Sequence, residues 1–499
     1  MKAHPLSSSG SAAPPWLPLT AALCVAAFAG LMLALVATEF GERTVYYLAT
    51  AAVGGCGALV AFTRREPLRF IFLALLCGLP IASALVPPGR FGATVFDAVM
   101  LVLTIGLVGR YVTGDRESQL PLFPTRSLLA AWLLCLPCVA LSHFPLTSLV
   151  ALVVMFTLHT FFWFALAEQQ RSNGFERLVL LLAGVLLVMA LGVFADHVLR
   201  TNLSLRGANL NQLSYLAGFE IYRAGGFFQD PQRAGAFLAT LVTFLLMLTL
   251  RGRFASPKLR AAIWLAIVAG LAALPLTMSR GAILACLAVS TLALFVFNAW
   301  HTHVKVLVAA LSVAALLVVT QTSFDLWLDA LPATMRERFL HIGEEFASRW
   351  FIWFDTWEMF AEQPLTGIGP GSFRSYLLET RPGTFNYYGI GVAAGVPYVP
   401  DQPESGYLKI LYEGGLLGSL AALLVAGDAV RRALAVVGDR TASSAARTEC
   451  IAALAGLATF SLTFVTLFTV GDPRLGALLA LLLAVIWHRS LERARAGRG

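Results

Sequence analysis

The chain has 499 residues, 58% of them hydrophobic and only 13% charged, and its mean hydropathy is +0.76. Soluble domains carry about 25% charged residues, so a soluble globular protein is excluded. The net charge of +8 falls largely in short loops between apolar runs, the positive-inside pattern of a membrane protein rather than the footprint of a nucleic-acid partner.

Taken in chain order, runs long enough to cross a ~30 Å hydrocarbon core are expected at about 16–38, 45–62, 68–86, 93–111, 127–142, 147–168, 177–197, 234–250, 259–278, 281–299, 303–321, 406–426, 449–470 and 474–488. A β-barrel would show alternating segments of ~10 residues instead. The predicted fold class is an all-α polytopic membrane protein with about 12–14 transmembrane helices, fourteen favoured. The opening stretch MKAHPLSSSGSAAPPW lacks an A-x-A-like cleavage site, so the first span is expected to remain as an anchor.

Lys and Arg concentrate at 63–67, 110–126, 168–177, 251–260, 299–305, 428–447 and in the tail. Placing these segments in the cytoplasm puts both termini there. The chain then divides into N-terminal transmembrane helices (1–197), an outer, periplasmic loop (198–233), further transmembrane helices (234–321), a large outer loop (322–405), and C-terminal helices with a cytoplasmic tail (406–499). Loops this long in a compact protein are usually functional. The larger one contains ERFLHIGEEFASRWFIWFDTWEMFAEQP, whose aromatics Trp350, Trp353, Phe354, Trp357 and Phe360 recur at helical spacing. A helix lying at the membrane surface and a helix covering the bundle both fit that pattern.

The seven cysteines lie in or beside apolar runs, and Cys135 and Cys138 form a CxxC with no second pair and no redox-type βαβ context. They read as small packing residues. No HExxH, no metal-ligand spacing of Cys, His and Asp, and no GxSxG occurs, so neither a metal or other cofactor nor an esterase-type serine is expected. GIGPGSF (367–373) lacks βαβ surroundings and reads as a turn rather than a nucleotide loop.

Charged residues at the edges of spans are the functional candidates. On the outer side these are Arg223 and Arg233 in YRAGGFFQDPQRAGAF, Arg280 in LTMSRGAIL, Arg349 in ASRWFIWFDTW, Glu404 in DQPESGYL, and Arg474 with Asp472 in VGDPRLG. Arginines converging on one face suit a phosphate or diphosphate, because the guanidinium fork matches phosphate oxygens and stays charged. Each has a structural alternative. Arg280 would snorkel to the interface, Arg349 would serve only its helix, Arg223 and Arg233 would stabilise their loop, and Arg474 would pair with Asp472. Lys409 and Glu413, four apart on one helix, read as a structural pair. Two readings of Glu404 stand. With Asp401 as N-cap it completes a near capping box; in a partly desolvated cavity it is a general base.

Together these segments resemble the O-antigen ligase and O-antigen polymerase superfamily. TMSRGA (277–282) resembles the SRG that opens a span in that family. Arg349, Trp353 and QPLTGIGPGSF resemble R…W…NPLxGxGxGxF, RAGGFFQDPQRAGAF resembles an earlier outer-loop segment, and ESGYLKILYEGGLLG, with Tyr407, resembles HNxYLxxLxExGLxG. The similarity covers roughly 220–418 in the expected order. It implies a metal-independent, inverting glycosyltransferase without cofactor, at the periplasmic face of the bacterial inner membrane. The implied partners are an undecaprenyl-diphosphate-linked glycan donor, an acceptor glycan or lipid and membrane lipids, with a chain-length regulator as a further candidate. Carried over, Arg280 and Arg349 match the diphosphate arginines and Glu404 is the base candidate. Arg223, Arg233, Trp353, Tyr407 and Arg474 are the further substrate-binding candidates. Ligases carry His where Glu404 stands and Asn in place of Ser405, which favours a polymerase of repeat units over a ligase. The rival from another class is a flippase or transporter of lipid-linked glycans. It would not need a long outer loop with a base candidate, and the inverted repeats common in transporters are not visible.

Overall fold

The computed structural model describes residues 66–82, 95–113, 120–200, 203, 213–216, 219–228, 230–252, 254, 256–297, 342–380, 403–467 and 472–496. The spans expected at 16–38, 45–62 and 303–321 lie outside the described residues. In chain order the elements are α1 (Pro67–Cys77), α2 (Leu79–Ala82), α3 (Val95–Thr113), α4 (Arg126–Ala140), α5 (Pro145–Gln169), α6 (Gly174–Leu199), β1 (Leu213–Leu216), β2 (Phe219–Tyr222), α7 (Pro231–Leu250), α8 (Pro257–Ala273), α9 (Arg280–Phe297), α10 (Ile342–Glu362), α11 (Phe373–Thr380), α12 (Gly406–Val437), α13 (Ser444–Thr463) and α14 (Pro473–Ala496).

Proline and short polar side chains set many helix starts. Pro stands in the first turn of α1, α5, α7 and α8, where its missing N–H is not needed. Thr125, Asp230, Ser256, Ser405 and Ser443 cap α4, α7, α8, α12 and α13, each accepting an amide of the first turn.

Among the described residues five helices are long and apolar enough to cross a membrane: Pro145–Gln169, Gly174–Leu199, Pro231–Leu250, Pro257–Thr277 and Pro473–Ala496. The protein is an all-α polytopic membrane protein. One local departure is the antiparallel β1–β2 hairpin, with Leu213 opposite Tyr222, inside the segment read as an outer loop.

At one end of the bundle, arginines close on carboxylates. Glu168, almost fully buried, takes Arg69 at 2.6 Å and Arg177, while Arg171 reaches Glu66 at 2.9 Å. Asp428 takes Arg432 at 2.8 Å, Arg431 and the Ser127 hydroxyl; Glu449 takes Arg489; Asp439 takes Arg493 at 2.6 Å. These bonds tie the ends of α1, α5 and α6, of α4 and α12, and of α13 and α14. We call this the basic end and the opposite one the loop end.

Helix α12 is broken. Gly415 has φ +59° and ψ −158°, a conformation essentially reserved for glycine. The break orphans the carbonyls of Tyr412 and Glu413 and the amides of Leu416 and Leu417. The segment 364–369 inserts there and supplies the missing partners. The amides of Ile368 and Gly369 donate to the Tyr412 and Glu413 carbonyls at 3.2 and 2.9 Å. The amides of Leu416 and Leu417 donate to the Pro364 and Leu365 carbonyls at 2.9 and 3.1 Å. Within a membrane, backbone outside a helix is tolerated only where protein pairs it.

A Cβ on Gly415 would sit 2.5 Å from the Gly367 amide nitrogen and the Leu365 carbonyl oxygen. Gly415→Ala is therefore expected to cost roughly 2–4 kcal/mol. A lowered thermal midpoint in detergent checks it, and an unchanged midpoint would count against the inserted-loop arrangement.

Candidate functional site

Four helix N-termini meet at the loop end. A Cβ on Gly235, in the first turns of α7, would lie 2.6 Å from Ser279, the residue before α9. A Cβ on Gly281, the second residue of α9, would lie 3.2 Å from Thr466 Oγ1. The Gly406 amide, first in α12, donates to the Phe464 carbonyl at 2.8 Å. The turn 464–467 after α13 thus lies against the starts of both α9 and α12. The fourth start, that of α14, faces α7 through Asp472, whose carboxylate feels the charge of Arg233. Helix N-termini carry partial positive charge and unpaired N–H groups, so this end is biased toward an anion.

Three buried carboxylates hold the surrounding loops. Asp196, at the end of α6, accepts the amides of Gly225 and Gly226, both at 2.7 Å, and the Tyr222 hydroxyl. That fixes the turn after β2, and the Ala224 amide adds a bond to the Leu276 carbonyl at 3.1 Å. Burial, and then the hydrogen bond to Asp196, push the Tyr222 phenol above its ordinary range.

Glu413 organises 369–373 in the same way. Its Oε2 accepts the Gly371 amide at 2.9 Å, and its Oε1 accepts the Phe373 amide at 3.1 Å and Lys409 Nζ at 2.7 Å. The carboxylate sits at the N-terminus of α11, where the helix dipole favours it. The turn before α5 closes the far side. Ser142 Oγ donates to the Ile368 carbonyl at 3.0 Å, and the His143 amide donates there at 3.1 Å. Gly369, at φ +108°, leaves room for this contact, since a Cβ there would lie 1.9 Å from Ser142 Oγ. The glycine-rich GIGPGSF is therefore a buried backbone plug, as its reading as a turn anticipates, and no phosphate cradle.

The third carboxylate is Asp472. Arg474 meets it with two bonds, Nε to Oδ1 at 2.9 Å and Nη2 to Oδ2 at 2.8 Å. Arg474 Nη1 donates to the Phe227 carbonyl at 2.7 Å, and the guanidinium lies 3.6 Å from the Phe228 ring centroid. Burial pushes the Asp472 carboxyl up, but the charge and hydrogen bonds of Arg474, with the charge of Arg233, outweigh it and hold the group below the ordinary carboxylate range. Arg474 is thus occupied in locking the 223–233 loop, the local pairing that stood as its alternative.

The structure places the other candidates as follows. Arg280 is the half-buried first residue of α9, and two residues earlier Met278 has φ +52°. Arg223 is buried just after β2, and Arg233, in the first turn of α7, lies 3.8 Å from Asp230. Tyr407 donates its hydroxyl to the Ser461 carbonyl at 3.0 Å, with its ring 5.1 Å from that of Phe464. Trp353 is half-buried on α10. Arg349 belongs to α10, but its side chain lies outside the described residues.

Glu404 is not part of a capping box. The N-cap of α12 is Ser405, whose hydroxyl accepts the Leu408 amide at 3.5 Å, so Glu404 precedes the cap instead of following it by three. Asp401 lies outside the described residues. Glu404 is half-buried with φ +51°, a left-handed conformation that costs a residue with a Cβ roughly 1–2 kcal/mol. Strained residues of this kind gather at functional sites.

Sequence reasoning did not single out Asp196 or the loop-holding role of Glu413. An acid within the apolar run GVFADHVL was the available signal for Asp196. Among the described residues no three His, Cys, Asp or Glu side chains gather as a metal site.

Residues 265–423 match the family model described as O-antigen ligase. The match takes in Arg280, α10, the plug, Glu404 and the break in α12. No curated protein matches the chain.

Glu413→Ala removes the acceptor for two amides and leaves Lys409 without this carboxylate, so it is expected to cost about 3 kcal/mol. Glu413→Gln keeps one acceptor and is expected to cost less. Denaturation of the two variants in detergent measures the difference, and equal stability to wild type in both would remove Glu413 from this role.

Proposed function

We propose, with the match of residues 265–423 to the O-antigen ligase family model as premise, that the chain is a glycosyltransferase that polymerises undecaprenyl-diphosphate-linked oligosaccharide repeat units. The observation that carries this reading beyond the family is that the start of α9, which bears Arg280, and the start of α12, which follows Glu404, both lie against the turn 464–467, at an end where four helix N-termini favour an anion. In the proposed topology this loop end faces the periplasm, the basic end and both termini face the cytoplasm, and the bundle sits in the bacterial inner membrane.

The chemistry follows from the residue types. Arg280 and Arg349 hold the donor diphosphate, with Arg223 and Arg233 nearby, and neutralise charge as the bond from sugar C1 to the diphosphate oxygen breaks. An acceptor hydroxyl oxygen attacks C1 from the opposite side, inverting it, and Glu404 takes the hydroxyl proton. Trp353 and Tyr407 border the sugar path, and Arg474 acts indirectly by holding the 223–233 loop. The transfer runs on protein side chains alone, so EDTA is expected to leave turnover unchanged.

A ligase that moves the glycan to lipid A–core is the second reading, favoured by the description of the matched family. The carboxylate at 404, where ligases carry an imidazole, favours polymerase. Purified protein given synthetic lipid-linked repeat units decides. Longer lipid-linked products with released undecaprenyl diphosphate support polymerase, transfer only when a core acceptor is added supports ligase, and intact lipid moved to the other leaflet overturns both.

In the same assay Glu404→Gln is expected to lower kcat by about 10²–10⁴-fold. Glu404→Gly is expected to lose turnover as well; near wild-type turnover in either variant would sink the base assignment. Arg280→Lys is expected to weaken donor binding by about tenfold, through loss of the bidentate fork. Unchanged donor affinity would take Arg280 out of the site.

A further inference from the structure

Helix α10 presents three faces. Ile352, Thr356 and Met359 are buried, and Met359 packs into a small core with Ile368, Phe373, Tyr376 and Tyr412. At 100° per residue, Phe354 and Trp357 fall on a second arc, and both are more than half exposed, at 53% and 55%. Glu358 and Glu362 are exposed on a third arc, beside half-buried Asp355. A helix that only covers a bundle needs one apolar face. This one carries a second, aromatic face, set off from an acidic one.

That second face does not end on α10. Leu365, exposed, follows it, and its carbonyl accepts the Leu417 amide at the break of α12. Below the break, Leu416, Leu420, Leu423, Val430 and Leu434 are exposed at spacings of four, seven, fourteen and eighteen from the first, one stripe of a helix. In an integral membrane protein a stripe of this kind suits lipid. Leu365, exposed beside it, links it in the chain to α10, which carries Phe354 and Trp357.

We propose that the Phe354–Trp357 face of α10 is a membrane-contacting surface, seated in lipid where the hydrocarbon meets the headgroups, with the acidic arc turned to water. Phe and Trp suit that boundary, and carboxylates do not enter it readily. The bilayer is the occupant because this face adjoins, through Leu365, a row of exposed apolar side chains on α12 in a polytopic membrane protein. The α10–plug–α11 segment is thereby a lipid-seated hairpin whose buried face grips α12, rather than a loop held clear of the membrane. This inference stands apart from the transferase reading, since it concerns seating and not chemistry.

Site-directed spin labelling tests it on the full chain in lipid nanodiscs, with the seven native cysteines replaced and an unchanged melting midpoint required of the background. Labels at 354, 357, 358 and 362 are compared with 423 as the lipid reference and 441 as the water reference. The expected result is oxygen-over-nickel-chelate accessibility at 354 and 357 matching 423, with 358 and 362 matching 441. Nickel-chelate accessibility at 354 and 357 overturns the proposal. So does inaccessibility to both probes, which would show that protein covers this face.

Discussion

The structure turns on one constraint: a helix that breaks where it is buried must have its loose backbone groups paired by protein. At Gly415 two carbonyls and two amides of α12 lose their helical partners, and 364–369 meets all four. An unpaired buried peptide group costs several kcal/mol, so the plug and the break stabilise each other. Two stretches that look unrelated in the chain, QPLTGIGPGSF and YEGGLLG, are the halves of one junction. The glycines of the plug serve close approach and left-handed backbone, which is why they form no phosphate loop.

The same economy governs the rest of the loop end. Buried carboxylates take backbone amides or a guanidinium rather than solvent: Asp196 at Gly225 and Gly226, Glu413 at Gly371 and Phe373, Asp472 at Arg474. Each is a charge desolvated and then compensated, and each fixes a loop. At the basic end the buried groups are again carboxylates, with several arginines gathered on Glu168 and on Asp428. The bundle is clamped at both ends, which leaves the N-termini of α7, α9, α12 and α14 aimed at one place.

For the proposed chemistry this matters because Glu404 and α10 are held by the same junction. Glu404 directly precedes the outer half of α12, and α10 runs straight into the plug that Glu413 grips. A base and a diphosphate-binding helix placed on separate flexible loops would lose much of the advantage of fixed geometry. The left-handed backbone at Glu404 fits a residue placed by its neighbours against its own preference.

Hydropathy and charge alone determined that the chain is an all-α membrane protein, and the motif segments from 220 to 418 carry a resemblance to the family whose model matches 265–423. These are local properties, read from consecutive residues. The i,i+4 pair of Lys409 and Glu413 was legible for the same reason. Tertiary structure decided what depends on residues far apart: that Glu413 holds amides about 40 positions earlier, that Ser142 meets Ile368 across 226 residues, and that Arg474 is spent on the Phe227 loop. It also decided that Ser405, not Asp401, caps α12, because the Gly406 amide is tied to Phe464, and no window of sequence around Glu404 contains that partner.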